Sequence, residues 1–178
     1  MKISPLSMQG LRLIETEPYC DHRGRFARLF CCRELASAGL DMEIVQINHS
    51  LTRQVGAIRG LHFQRAPYAE TKIVRCLRGG CFDVVVDLRP DSETFLKWHG
   101  EKLTDKNDKA LFIPEGFAHG FQTIEPDTEL LYFHSEYYTS EYEGGVRFDD
   151  PALGIDWPLL YTDISDRDMN FPLINIDS

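Results

Sequence analysis

The sequence predicts an all-β protein, an antiparallel sandwich or barrel with a few short helices. Three observations carry that expectation. About ten short segments are rich in β-branched and aromatic residues and are bounded by Gly, Pro, Asp or Asn. Only one stretch of good helix formers ends on a stop signal. No helix-length segment alternates with the strands, so the crossovers that a parallel sheet requires are missing.

In chain order, the first candidate strands are "LRLIET" from Leu11 and "RFARLF" from Arg25. "CRELASAG", from Cys32 to Gly39, is the helix, closed by its glycine. "EIVQINHS", "AIRGLHF", "KIVRCL" and "CFDVVVDLR" follow, and the glycine pair in "LRGGCF" predicts a tight hairpin between the last two. "LKWHGEKLT", "ALFIP", "HGFQTI" and "ELLYFHS" complete the set. After Asp149 the chain carries three prolines and little periodicity. It is expected to wrap the barrel as a tail with a short turn of helix near Ser165. No repeat, low-complexity tract or linker divides the sequence, and residues 1–178 are expected to form one domain.

A content of 43% hydrophobic and 26% charged residues suits a soluble globular protein with a sizeable core. The net charge of −9 argues against a nucleic-acid surface, which needs a basic stripe. An anionic small molecule stays possible if a few basic residues converge on it. No run approaches the length of a membrane span, and "MKISPLSMQGLRLIE" lacks the apolar stretch of a secretory leader. Cys20, Cys31, Cys32, Cys76 and Cys81 form an odd set without CxxC spacing. They are expected to be reduced thiols in a cytoplasmic protein.

No phosphate loop, dinucleotide fingerprint or G-x-S-x-G elbow is present. His62, in "IRGLHFQ", stands in an apolar strand where a lone histidine is ordinarily structural. Metal-binding β-barrels often take two histidines in an H-x-H step, but position 64 is Gln, a poor ligand, and His119 alone makes a weak partner. If the strand is regular, Ile58, Gly60, His62 and Gln64 share one face, and Arg59 points away unless Gly60 permits a bulge. In "ELLYFHS", Leu130, Tyr132 and His134 share a face, so a tyrosine and a histidine could meet across the barrel interior. Spacing alone leaves the structural and the acid–base readings of these residues even.

Eight motifs alter that balance. "DHRGRF", "VQINHS", "GAIRGLHFQ", "KIVRCLRGGCFDVVVDLRPDSETF", "FIPEGFAHGF", "ELLYFHSEYY", "EGGVRFDDPALGIDWP" and "ISDRD" occur in this order and spacing. Together, from about residue 10 to 173, they resemble the dTDP-4-dehydrorhamnose 3,5-epimerase family of cupin-type nucleotide-sugar epimerases. The resemblance implies a jelly-roll fold, a homodimer, no metal or organic cofactor, and inversion of stereocentres beside a sugar ketone. His62 matches the base, Asp168 the carboxylate that orients it, Tyr132 the acid on the far face, and Lys72 the support of the developing enolate.

For the nucleotide-diphosphate 4-keto-6-deoxy sugar, Arg23, Arg59 and Arg167 match basic positions near the diphosphate. Gln46 and Asn48 match amide positions near base and sugar. His119, Tyr138 and Glu143 match further binding positions, and Tyr138 could stack on a pyrimidine. Phe26 reads equally as a contact or as core, and Asp83 equally as a support of the site or a hairpin-end polar residue.

Two departures stand out. Arg28 replaces a common glutamate and Arg167 a common lysine. If Arg28 approached the base, a donor-only side chain would pair with cytosine better than with thymine; turned to the diphosphate, it would leave base choice alone. The expectation is therefore a cytoplasmic epimerase of nucleotide-linked 4-keto-6-deoxy sugars, acting at carbon 3, carbon 5 or both, with no nucleic-acid or membrane partner. Its dimer is expected to send the strand around "GRFARLF" into the partner's site. The rivals are a metal-dependent cupin oxygenase or isomerase and a non-catalytic nucleotide-sugar-binding cupin.

Overall fold

The computed structural model describes residues 1–175. Its strands are β1 (Lys2–Pro5), β2 (Arg12–Glu15), β3 (Tyr19–Asp21), β4 (Gly24–Phe26), β5 (Gln46–Thr52), β6 (Ile58–Gln64), β7 (Lys72–Arg78), β8 (Gly80–Asp87), β9 (Trp98–Thr104), β10 (Lys109–Ile113), β11 (Phe117–Thr123), β12 (Thr128–His134) and β13 (Glu143–Gly145). Two short helices, α1 (Cys32–Ser37) and α2 (Asp166–Met169), accompany them. A six-stranded sheet, β1-β2-β10-β7-β12-β5, faces a five-stranded sheet, β13-β6-β11-β8-β9; β3 and β4 form a separate hairpin. Every strand pairing is antiparallel. The architecture is the expected jelly roll. No helix among the described residues is long and apolar enough to cross a membrane.

Strand alternation builds three apolar layers. Val74, Cys76, Leu111 and Leu130 of the larger sheet meet Cys81, Val85, Phe117 and Phe121 of the smaller one. The next residues along the same strands, Ile73, Ala110, Phe112 and Phe133, point outward and are covered by Leu35 of α1. On the smaller sheet the outward set includes Leu61, Val84 and Val86, packed under Val146, Phe148, Leu153 and Trp157 of the C-terminal tail. Both sheets are thus sandwiched, which explains why β8 reads as a near-continuous apolar run apart from Asp83 and its terminal Asp87. The tail wraps the barrel as expected.

Four local features differ from the sequence expectation. The glycines of "LRGGCF" do not close a hairpin: β7 pairs with β10 and β12, whereas β8 pairs with β11 and β9. Gly79, at φ +71°, carries the chain between the two sheets, and a Cβ there would lie 2.8 Å from Thr128 Oγ1. A glycine pair signals left-handed backbone without saying to which sheet the chain returns. Of "RFARLF" only Arg25 and Phe26 lie in a strand, because extended propensity forms none without a neighbouring edge to bond. The short β1, β3 and β13 carry too few residues for a periodic signal.

The fourth difference shapes the site. Within β6 the pairing with β11 slips between His62↔His119 and Arg59↔Phe121, a bulge of one residue at Gly60–Leu61. Ile58, Leu61 and Phe63 therefore face the outer layer. Arg59, His62 and Gln64 turn inward, so regular alternation is broken and His62 does not share the face of Ile58. Only glycine fits at the bulge: Gly60 has φ +107°, and a Cβ would stand 2.7 Å from the His119 carbonyl oxygen.

Candidate active site

Between the sheets lies a cavity of about 630 Å³, within the usual range for small-molecule sites. The larger sheet contributes Gln46, Asn48, Ser50, Lys72, Tyr132 and His134; the smaller contributes Arg59, His62, Gln64 and His119. Tyr138, Glu143, Arg167 and Asp168 close one side. Eleven of the fourteen residues singled out from sequence line this one space. Three cations, Arg59, Lys72 and Arg167, converge there, alongside the carboxylates of Glu70, Glu143, Asp163 and Asp168.

The β6 bulge and α2 assemble the His62–Asp168 pair. Irregular pairing frees the Gly60 N–H, which donates to Asp168 Oδ2 at 2.9 Å. His62 Nε2 lies 2.8 Å from Asp168 Oδ1. Ser165 caps α2 by accepting the Asp168 N–H at 3.1 Å, which fixes where the carboxylate starts. Burial alone would raise the Asp168 pKa; the bonds from His62 and Gly60 outweigh it and hold the group at about 2. Arg167 Nη2 also stands 3.0 Å from His62 Nε2, while its Nη1 donates to Glu143 Oε2 at 2.8 Å. The same Glu143 oxygen accepts the Tyr138 hydroxyl at 2.9 Å.

Tyr132 enters from the facing sheet. Its hydroxyl lies 3.1 Å from Ser50 Oγ, and its ring stands between His119 and His134, with centroids 6.2 and 6.1 Å away. Burial pushes its pKa far up, so the phenol stays protonated at neutral pH. His119 Nε2 faces Asp83 Oδ2 at 2.9 Å, a second histidine–carboxylate pair. Asp83 is fully buried and supports the cavity wall from behind; its Oδ1 has no partner among the described residues. Arg59 is steadied by Thr52 Oγ1 at 2.9 Å. The Gln64 amide is spent on backbone, donating to the Tyr68 and Tyr137 carbonyls and accepting the Thr139 N–H.

Arg23, Phe26 and Arg28 lie elsewhere. Arg23 pairs with Asp21 at the tip of the β3–β4 hairpin, Phe26 is 77% exposed, and Arg28 pairs with Glu34 of α1. No sequence motif points to Glu70, whose carboxylate lies 2.9 Å from Lys72 Nζ and 2.7 Å from His134 Nδ1. Its position two residues before Lys72 was the available signal, since i and i+2 share a face in extended chain.

Residues 5–175 match the family model described as dTDP-4-dehydrorhamnose 3,5-epimerase. The chain belongs to the dTDP-4-dehydrorhamnose 3,5-epimerase family. A member from Sinorhizobium fredii, named dTDP-4-dehydrorhamnose 3,5-epimerase, is 41% identical over 97% of this chain and 89% of its own length. Among solved structures, the dTDP-4-dehydrorhamnose 3,5-epimerase of Bacillus anthracis, with TDP and pyrophosphate bound, superposes with a TM-score of 0.95 at 39% identity, over 97% of this chain and 99% of that one. The dTDP-6-deoxy-D-glucose-3,5-epimerase of Legionella pneumophila, in complex with dTDP-4-keto-L-rhamnose, gives 0.92 at 36% identity, over 99% and 94%. Family membership therefore covers every residue of the cavity wall.

Proposed function

We propose that this protein inverts carbon 3, carbon 5 or both of a dTDP-linked 4-keto-6-deoxyhexose by proton removal and return. The observation that carries the reading is the joint placement of a His62–Asp168 pair and a protonated Tyr132 on facing sheets of one cavity. The substrate's 4-ketone acidifies the neighbouring carbons. His62 takes a hydrogen as a proton, and the C–H electrons form an enolate whose oxygen carries the charge. Asp168 orients the imidazole and stabilises its cation, as a buried carboxylate does for a histidine base. Tyr132 returns a proton from the opposite face, and a burial-raised pKa keeps that proton in place until then. The Lys72 ammonium supports the enolate electrostatically. Because the ketone itself stores the charge, the reaction calls for no cofactor.

Arg59, Arg167 and the partner's hairpin would meet the diphosphate; Gln46, Asn48, His119, Tyr138 and Glu143 would hold base and sugar. We infer a homodimer in which Arg23, Phe26 and Arg28 act on the partner's cavity. The exposure of Tyr19 (69%) and Phe26 on a hairpin that avoids its own cavity supports this. Five unpaired cysteines accord with a cytoplasmic location. Incubation with the dTDP-linked keto sugar in heavy water tests the reading. Wild type is expected to incorporate solvent deuterium at the inverted carbons, with or without a chelator, and His62→Asn to incorporate none. Exchange by His62→Asn at the wild-type rate, or activity lost to the chelator and restored by a divalent metal, would overturn it.

A further inference from the structure

One end of the cavity carries a continuous chain of hydrogen bonds that runs in a single direction. It starts at the Tyr138 backbone N–H, which can only donate and does so to Gln46 Oε1 at 3.2 Å. The Gln46 amide is thereby oriented, and its Nε2 donates to Asn48 Oδ1 at 3.2 Å. Asn48 must then present Nδ2, 3.3 Å from His134 Nε2, so that ring nitrogen has to accept. The proton of a neutral His134 is left on Nδ1, which donates to Glu70 Oε2 at 2.7 Å. The other Glu70 oxygen takes Lys72 Nζ at 2.9 Å. A protonated His134 would set its Nε2–H against the Asn48 N–H, and reversing both amides would set Gln46 against the Tyr138 N–H. The chain therefore admits one tautomer.

We propose that Glu70 is a positioning residue that holds the Lys72 ammonium in the cavity wall, with His134, locked as its Nδ1–H tautomer, holding Glu70 in turn. The role given to Lys72 rests on the epimerase reading; the direction of the chain does not. Glu70, Lys72 and His134 side chains are each about nine-tenths buried, at 9, 11 and 10% exposure. Burial would raise the Glu70 pKa, yet the bond from His134 and the charge of Lys72 bring it below its ordinary value, so it ends the chain as a carboxylate. Without Glu70, Lys72 would lose both its anchor and its counter-charge in a site shielded from water.

The test uses the full-length wild type, Glu70→Gln, His134→Leu and His134→Gln. Ring nitrogen-15 spectra of wild type, with His134 assigned by its loss in His134→Gln, are expected to show Nδ1 protonated and Nε2 bare at neutral pH. With the dTDP-linked keto sugar, Glu70→Gln should lower kcat about tenfold or more with KM nearly unchanged. His134→Leu should lower kcat in the same way. His134→Gln, whose amide can accept from Asn48 and donate to Glu70, should restore most of that loss. A cationic or Nε2–H His134, a wild-type kcat in Glu70→Gln, or equal losses in the two His134 variants would each overturn the proposal. Absence of deuterium incorporation by wild type would instead sink the epimerase reading, and the ring spectra would still decide the chain.

Discussion

Environment drives a carboxyl group and a phenol in opposite directions across this cavity. Asp168 is ionised down to about pH 2 because bonds from His62 and Gly60 overcome its burial. Tyr132 keeps its proton because burial outweighs the hydrogen bond with neutral Ser50 and the charge of Arg59. Asp168 thus stays an anion beside His62 and Tyr132 stays a proton donor, the states that the proposed reaction requires of them. Tyr132→Phe is therefore expected to slow product formation more than initial proton removal, read as the ratio of turnover to deuterium wash-in; equal losses would reduce Tyr132 to a shape-filling role. Asp168 also predicts acid behaviour. Its depressed value contributes stability that is fully present above its ordinary pKa of 3.8 and is lost as pH falls towards about 2. Urea midpoints of wild type and Asp168→Asn should accordingly differ near neutrality and approach each other as pH falls from about 4 to about 2. A gap constant through that range would assign the difference to packing instead.

The decisive element is β6, whose bulge does three things at once. It turns Arg59 and His62 to the same side although they are three residues apart, sends Ile58 and Leu61 to the outer layer, and frees an N–H for Asp168. Gly60→Ala combines a strained positive φ with a backbone clash at 2.7 Å from the His119 carbonyl. It is expected to cost at least about 2 kcal/mol by urea denaturation. Gly39→Ala, behind α1, shares the positive φ but meets nothing within 4 Å, and should cost only about 1 kcal/mol. Similar costs at both positions would mean that the bulge can relax around a side chain.

For the molecule as a whole, Arg23 lies away from its own cavity, and the proposed function has it serve the partner's. Light scattering is expected to give a dimer. Arg23→Ala and His62→Asn should each be nearly inactive alone, and mixing them under subunit exchange should recover activity. In the mixed dimer one cavity would hold His62 from one chain and receive Arg23 from the other. A monomer with full activity, or no recovery on mixing, would contradict the exchange.

The strand-rich class, nearly every strand of the two sheets, the helix closed by Gly39 and the turn of helix at Ser165 are all legible in the residues alone. These depend on side-chain alternation, turn residues and caps, which act over a few neighbours. Family motifs also named eleven residues that now line one cavity. What lay beyond reach depended on pairing between distant segments. Gly79 could announce a turn but not a change of sheet, because the edges that receive β7 and β8 lie far along the chain. Gly60 could permit a bulge, yet only the register against β11 decided that His62 turns inward. Glu70 and His134 are 64 residues apart and meet because β12 lies against β7. Only the tertiary structure decides such meetings, since hydrogen-bond register and burial are properties of two strands together and not of either one.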